Sequence, residues 1–298
     1  MDHLTGSGVH TPTRQVKLLR IGNIISFLLA TGIHLAAILV FSPSIGTIID
    51  DNFCFFTPEK SFIYVFWGLY YLSAFGFVFY AQLIDEEYAQ RIVKGVIGPW
   101  FIVSNLLLVG WVRSWLAEDF DWAFLLSIIN SAIAAFVHRK LFRFFPLYSL
   151  PIHYRIANIW LIFVPFSILV ANWFFFVIYT GFLALYNFDG YMDGYIDGYV
   201  ATVFLVIYAI IGWGWIGFGW FTRGNRDGFF GISAAWLFSA VAFQQRDIFP
   251  FSALAGILSI SMFGAIFIVF LRDGGSFTQA LYSNRDSTAE EREPLTES

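Results

Sequence analysis

Eight runs of roughly twenty mainly apolar residues follow one another along the chain, at 21–42, 62–84, 97–117, 120–138, 156–186, 200–221, 228–245 and 250–271. A helix rising 1.5 Å per residue needs about 20 such residues to cross ~30 Å of hydrocarbon. Composition agrees: hydrophobic residues make up 58% of the chain and charged residues 13%, with a mean hydropathy of +0.69. Water-soluble domains run near ~45–50% apolar and about 25% charged, so this surplus exceeds what one buried core absorbs. The expected fold is all-α, a polytopic membrane bundle of about eight transmembrane helices.

The fourth and seventh runs are short and interrupted by polar residues, and the fifth is overlong and carries Pro165, which predicts a tilted or kinked helix. The N-terminal run ends at Ser42-Pro43-Ser44 without a small-x-small cleavage pattern. It is therefore read as a spanning helix that doubles as the targeting signal. Charge placement tests the count independently. With the N-terminus cytoplasmic, fourteen of the 17 Lys and Arg residues fall in cytoplasmic segments, and Lys60, Arg113 and Arg246 fall on or near the other side. That bias follows the positive-inside rule and puts both termini in the cytoplasm. The chain divides into a polar N-terminus (1–20), a five-helix unit (21–187), three further helices (188–271) and a polar tail (272–298) expected to be disordered.

The formal net charge of −4 suggests no nucleic-acid partner, and the single cysteine, Cys54, excludes an internal disulfide or a cysteine-based metal cluster. No Asp or Glu stands centrally in a predicted span, which weakens a proton- or sodium-coupled transporter. No nucleophile is paired with a base, so no catalytic constellation points to an enzyme.

Three short stretches carry a family resemblance. Thr57-Pro58 precedes Phe66-Trp67-Gly68-Leu69-Tyr70-Tyr71 at the start of the second span. The third span holds Asn105-Leu106-Leu107-Leu108-Val109-Gly110-Trp111. The fifth holds Pro165-Phe166-Ser167 with Asn172-Trp173 beyond. In this order and on these helices they resemble the tryptophan-rich sensory protein family, the TspO/translocator-protein (peripheral benzodiazepine receptor-like) group. The longer variants, with extra C-terminal helices, are the nearer likeness. The resemblance covers roughly residues 21–187 and implies a five-helix bundle with a hydrophobic pocket accepting porphyrins, sterols or drug-like aromatics. Two positions depart from the family pattern. Leu108 stands three before Trp111 where the family has Asn, with Asn105 one turn earlier; Asn172 occupies the place of a fifth-helix Trp, and Trp173 follows it.

The candidate ligand-binding residues are Trp67, Tyr71, Asn105, Leu108, Trp111, Pro165, Phe166, Asn172 and Trp173. Asn105, Leu108 and Trp111 share one helical stripe, and an amide there should face the bundle, because lipid offers it no partner. Converging aromatic faces suit a flat apolar ligand. Ordinary packing competes with this reading, since aromatics are 21% of the chain.

His34 lies well inside a span with no second histidine at comparable depth, so a hydrogen-bonded packing role is set beside axial contact to a haem iron. Arg113 can snorkel to the interface or meet an anionic head group. The repeat Asp189-Gly190-Tyr191, Asp193-Gly194-Tyr195, Asp197-Gly198-Tyr199 is read as a turn-rich interfacial loop, with weak calcium binding as the alternative. Ala209, Gly212 and Gly219 form a small-residue seam, flanked by Trp213 and Trp220, for packing within the bundle or in a homodimer. Functionally, the expectation is a receptor or sensor for a flat hydrophobic ligand, with porphyrin or haem as a candidate. A carrier of an apolar solute or lipid, and a structural or assembly protein, are the alternatives.

Overall fold

The computed structural model describes residues 14–83, 92–144, 159–189, 194–218 and 227–290. Among them are nine α-helices: α1 (Arg14–Leu39), α2 (Ile45–Asp51), α3 (Lys60–Leu83), α4 (Trp100–Leu116), α5 (Phe120–Phe144), α6 (Val164–Asp189), α7 (Gly194–Trp213), α8 (Gly228–Gln244) and α9 (Phe249–Glu290). Three π-helical turns, Val93–Ile97, Ile159–Phe163 and Gly214–Phe218, precede α4, precede α6 and follow α7. Six helices are long and apolar enough to cross a membrane, and two shorter apolar ones, α4 and α8, fill the third and seventh expected positions. The protein is an integral membrane helix bundle. Its outer face is apolar, with Leu72 71% and Ile260 74% exposed. Such residues need no explanation in lipid and would be costly in water.

Local sequence accounts for several helix ends. Ser44 caps α2, its hydroxyl accepting from the Thr47 N–H at 3.2 Å. Gly98, at φ +43°, takes the left-handed turn that ends the first π segment, and α4 starts two residues later. Pro165 follows directly on the π-helical turn Ile159–Phe163, where the regular α ladder is already interrupted. The anticipated irregularity of the fifth span takes the form of the π-helical turn just before that proline.

Three expectations need correction. The fourth span is not weak: α5 is 25 residues long, and the short helices are α4 and α8, each of 17. The tail beyond residue 272 is not structureless, because α9 runs on to Glu290. Polar residues do not stop a helix that is already nucleated, and no proline intervenes before Pro294. Residues 291–298 lie outside the described part. Nor is the whole Asp-Gly-Tyr repeat a loop, since α7 begins at Gly194 and takes in Asp197-Gly198-Tyr199. Gly198 faces Phe55, and tertiary packing there outweighs the roughly 1 kcal/mol helix penalty of glycine. Residues 190–193 lie outside the described part, as do Gly219 and Trp220 of the seam.

α6 is the hub, packed against α3, α5 and α8, while α4 lies between α1 and α5. α7 and α8 are stitched into the first five helices by polar contacts. Tyr208 Oη donates to the Ala171 carbonyl at 3.0 Å, and Trp236 Nε1 donates to the Phe62 carbonyl at 3.0 Å. Gln245 Nε2 donates to the Cys54 carbonyl at 2.8 Å, and the Glu59 N–H donates to the Ala240 carbonyl at 3.0 Å. Within the seam, Gly212 lets α7 close onto Met262 of α9, so this small residue serves contacts inside the bundle.

Candidate functional site

Four helices aim aromatic side chains at one point. His34 of α1 meets Trp67 of α3 edge-on, with ring centroids 4.5 Å apart, and lies 6.3 Å from Trp111 of α4. His34 Nδ1 and Tyr71 Oη share a hydrogen bond at 2.5 Å. Trp173 of α6 stands 6.5 Å from Trp67 and 6.0 Å from Trp111. Phe176 closes the set at 5.0 Å from Trp111, and Trp115 stacks on Trp111 at 5.1 Å. The spacing explains the convergence: Trp67 and Tyr71 are i, i+4 on α3, Trp111 and Trp115 i, i+4 on α4, and Trp173 and Phe176 i, i+3 on α6. Edge-to-face pairs of this kind contribute about 0.5–1.5 kcal/mol each beyond burial.

At the centre is an apolar cavity of ≈ 10 Å³, bounded by His34, Trp67, Trp111, Trp115 and Phe176 and roofed by Ile45 and Ile49 of α2. Pockets for drug-sized ligands run to about 300–1,000 Å³, so the site is closed in this state. The indole N–H groups of Trp111, Trp115 and Trp173 are buried without a hydrogen-bond partner among the described residues. An unpaired buried donor costs about 1–3 kcal/mol, so three in one cluster call for an acceptor.

Of the sequence-predicted residues, Trp67, Tyr71, Trp111 and Trp173 are brought together here. Trp173, not Asn172, is the α6 residue that reaches the cluster. Asn172 is buried with neither amide atom partnered among the described residues. Asn105 does face the bundle, but it donates to Ser26 Oγ at 3.2 Å and ties α4 to α1 away from the cavity wall. Leu108 is buried in the core beside it. Pro165 and Phe166 belong to a separate layer, where Phe166 packs 5.4 Å from Phe77 and 6.0 Å from Phe101. His34, weighed mainly as a packing residue, is hydrogen-bonded as expected and also lines the cavity.

A second buried polar centre escaped the sequence reading. His138 Nε2 of α5 lies 2.6 Å from Asp227 Oδ2, both side chains being 1% exposed. Asp227 Oδ1 accepts from the N–H groups of Phe229 and Phe230, which caps α8. Ser167 Oγ is 3.4 Å from the same His138 nitrogen, and Trp215 packs 5.5 Å from the ring. His34 is therefore not the only buried histidine. The legible signal was a polar stripe along α5, Ser127, Asn130, Ser131 and His138, at helical spacing and fully buried. Asn130 Oδ1 accepts from Ser104 Oγ at 2.6 Å and Thr180 Oγ1 donates to Ser127 Oγ at 3.4 Å, so the stripe joins α4, α5 and α6. Among the described residues no group of three His, Cys, Asp or Glu side chains gathers as a metal site.

The segment linking α2 and α3 is pinned from several sides. Cys54 N–H donates to Thr57 Oγ1 at 2.7 Å, and burial pushes the Cys54 thiol up to about 11. Lys60 Nζ pairs with Asp50 Oδ2 at 2.6 Å, and Asn52 Nδ2 donates to Glu118 Oε2 at 3.2 Å. These contacts hold α2 over the cavity.

Comparison with curated proteins gives no match, and comparison with solved structures gives none. The model of one family, described as TSPO-like protein, matches residues 20–271. The match runs through all eight apolar helices, whereas the motifs read from sequence reach only to about residue 187. With the aromatic cluster on α3, α4 and α6 falling inside that span, the chain belongs to the TSPO-like family of integral membrane proteins.

Proposed function

We propose that this protein is a membrane receptor, or sensor, for a flat hydrophobic ligand of porphyrin or sterol type, taken between α1, α3, α4 and α6 beside His34. The observation that carries the reading is the aromatic cluster, in which Trp111 and Trp115 line the cavity and Trp173 packs behind Trp111, with three buried N–H donors lacking acceptors among the described residues. Aromatic walls select a flat apolar body, and the donors select oxygen acceptors at its rim. Because the cavity holds only ≈ 10 Å³, admitting such a ligand requires its walls to move, and the short α2 that roofs it is the element proposed to shift.

The test is quenching of tryptophan fluorescence by protoporphyrin in the purified protein. His34→Ala and Trp67→Ala each weaken apparent affinity by about tenfold or more, as loss of a central aromatic contact does. Trp160→Ala, which removes an exposed indole remote from the cavity, leaves it unchanged. Equal affinity in all three variants removes the cluster from the binding site. A carrier reading rests on the buried His138–Asp227 pair, since ionisable groups inside a bundle often serve proton relays. Saturable porphyrin flux into proteoliposomes, lost in Asp227→Asn, favours the carrier; binding without flux favours the receptor.

A further inference from the structure

A second recess opens on the opposite, outer side of α4. It has a volume of ≈ 360 Å³ and runs between α4 and α5, lined by Gly110, Arg113, Ser114, Ala117, Asp119, Trp122 and Leu126. Residues 110, 113 and 114 of α4 and its C-cap Ala117 form one stripe at i, i+3, i+4, i+7, turned away from the face that carries Trp111 and Trp115. Gly110 makes the recess deep: a Cβ there would stand 3.4 Å from Leu126 Cδ1. At ≈ 360 Å³ against ≈ 10 Å³ for the His34 cavity, the recess has room for a small polar group.

Its chemistry is divided along its length. At the mouth, the Arg113 guanidinium makes no ion pair or side-chain hydrogen bond among the described residues. Asp119 spends Oδ1 on the Trp122 N–H at 3.3 Å and keeps its charge beside the recess. The Trp122 ring is 58% exposed. Toward mid-membrane, Gly110 and Leu126 lead onto Leu106 and Ile129, exposed apolar residues one turn deeper on the same two helices. One cation, one anion, an open indole face and an apolar runway therefore follow in order.

We propose that this recess binds one zwitterionic phospholipid of the phosphatidylcholine class. Arg113 and Ser114 hold the phosphate by charge-assisted hydrogen bonds. Asp119 and the Trp122 ring receive the quaternary ammonium, the ring through a cation–π contact. One acyl chain lies along Gly110 and Leu126. An anionic head group is disfavoured, because the Asp119 carboxylate lines the same recess as Arg113 and repels a second negative charge there.

Native mass spectrometry of the full-length protein in detergent tests this, with dioleoyl-phosphatidylcholine and dioleoyl-phosphatidylglycerol added in equal amounts. The wild type retains one phosphatidylcholine in preference to phosphatidylglycerol. Arg113→Gln lowers retention of both by about tenfold, the effect of losing a charge-assisted phosphate contact. Asp119→Asn reverses the preference, since it removes the ammonium partner and the repulsion of the anionic lipid together. Gly110→Leu fills the recess without altering its charges and abolishes selective retention. A wild type that keeps phosphatidylglycerol at least as well overturns the proposal, and so does undiminished phosphatidylcholine retention in Gly110→Leu. Porphyrin quenching is unaffected in any of these variants, so the outcome is independent of the His34 site.

Discussion

Asp227 uses both carboxylate oxygens, one on His138 and one on the second and third N–H groups of α8, those of Phe229 and Phe230. Removing it therefore has two separable costs, a lost cap of about 1 kcal/mol and a buried histidine nitrogen left with only the long 3.4 Å contact to Ser167 Oγ, at about 1–3 kcal/mol. Asp227→Ala lowers the thermal midpoint in detergent clearly more than Asp227→Asn, because asparagine can still cap the helix and accept one bond. Equal losses would show that only packing matters there. Cys54 carries a pH signature of a different kind. Its pKa rises from 9.0 to about 11 on burial, so the folded state binds the proton more tightly than the unfolded chain. That contribution, about 3 kcal/mol at most, is complete below pH 9 and is lost as pH climbs toward 11. Stability of the wild type should fall over that window in chemical denaturation, and Cys54→Ala should flatten the fall. At this scale the sequence was informative where residue type alone sets the environment. An intramembrane Asn must face protein, and Asn105 does. It was silent on which partner each group finds, because the Asn105–Ser26 and His138–Asp227 contacts join residues 79 and 89 positions apart.

At the scale of elements, α2 is the piece on which access to the cavity depends. It is seven residues long and presents Ile45 and Ile49 to the site, with Ser44 as its cap. Apart from that packing, the Lys60–Asp50 pair and the Asn52–Glu118 bond restrain it. The ion pair is half-exposed and so is worth no more than about 1 kcal/mol. Lys60→Ala should accordingly speed protoporphyrin association by a few-fold in stopped-flow quenching, with little change in the thermal midpoint. An unchanged association rate would mean that ligand enters elsewhere, between spans. Hydropathy periodicity finds long apolar helices because they must satisfy lipid along their whole length. It passes over α2, which is shorter than two helical turns and mixes Ile with Asp. The same limit applies to α9, whose polar extension reaches Glu290 by propagation from a membrane-anchored nucleus, a cooperative effect invisible to a residue-by-residue reading.

For the whole molecule, the question is whether the first five helices can stand alone. The motifs suggested a five-helix unit with three helices appended, yet the contacts crossing that boundary converge on the segment that roofs the cavity. α8 and its C-terminal turn bind the carbonyls of Cys54 and Phe62 and accept from the Glu59 N–H. Without α8 the Glu59 N–H loses its acceptor and the Cys54 carbonyl keeps only the Thr57 N–H, at the base of the α2 roof, where an unsatisfied buried group costs about 1–3 kcal/mol. α6 would also surrender its contact with Tyr208 and bare the face it now turns to α8. A chain ending at residue 189 should therefore insert but fail to quench with protoporphyrin, while the full chain binds. Adding back residues 190–298 as a separate polypeptide should restore binding, as complementary membrane fragments can reassociate through packing and interhelical hydrogen bonds. Full-affinity binding by the truncated chain alone would assign the ligand site to the five helices and leave α7, α8 and α9 a different task.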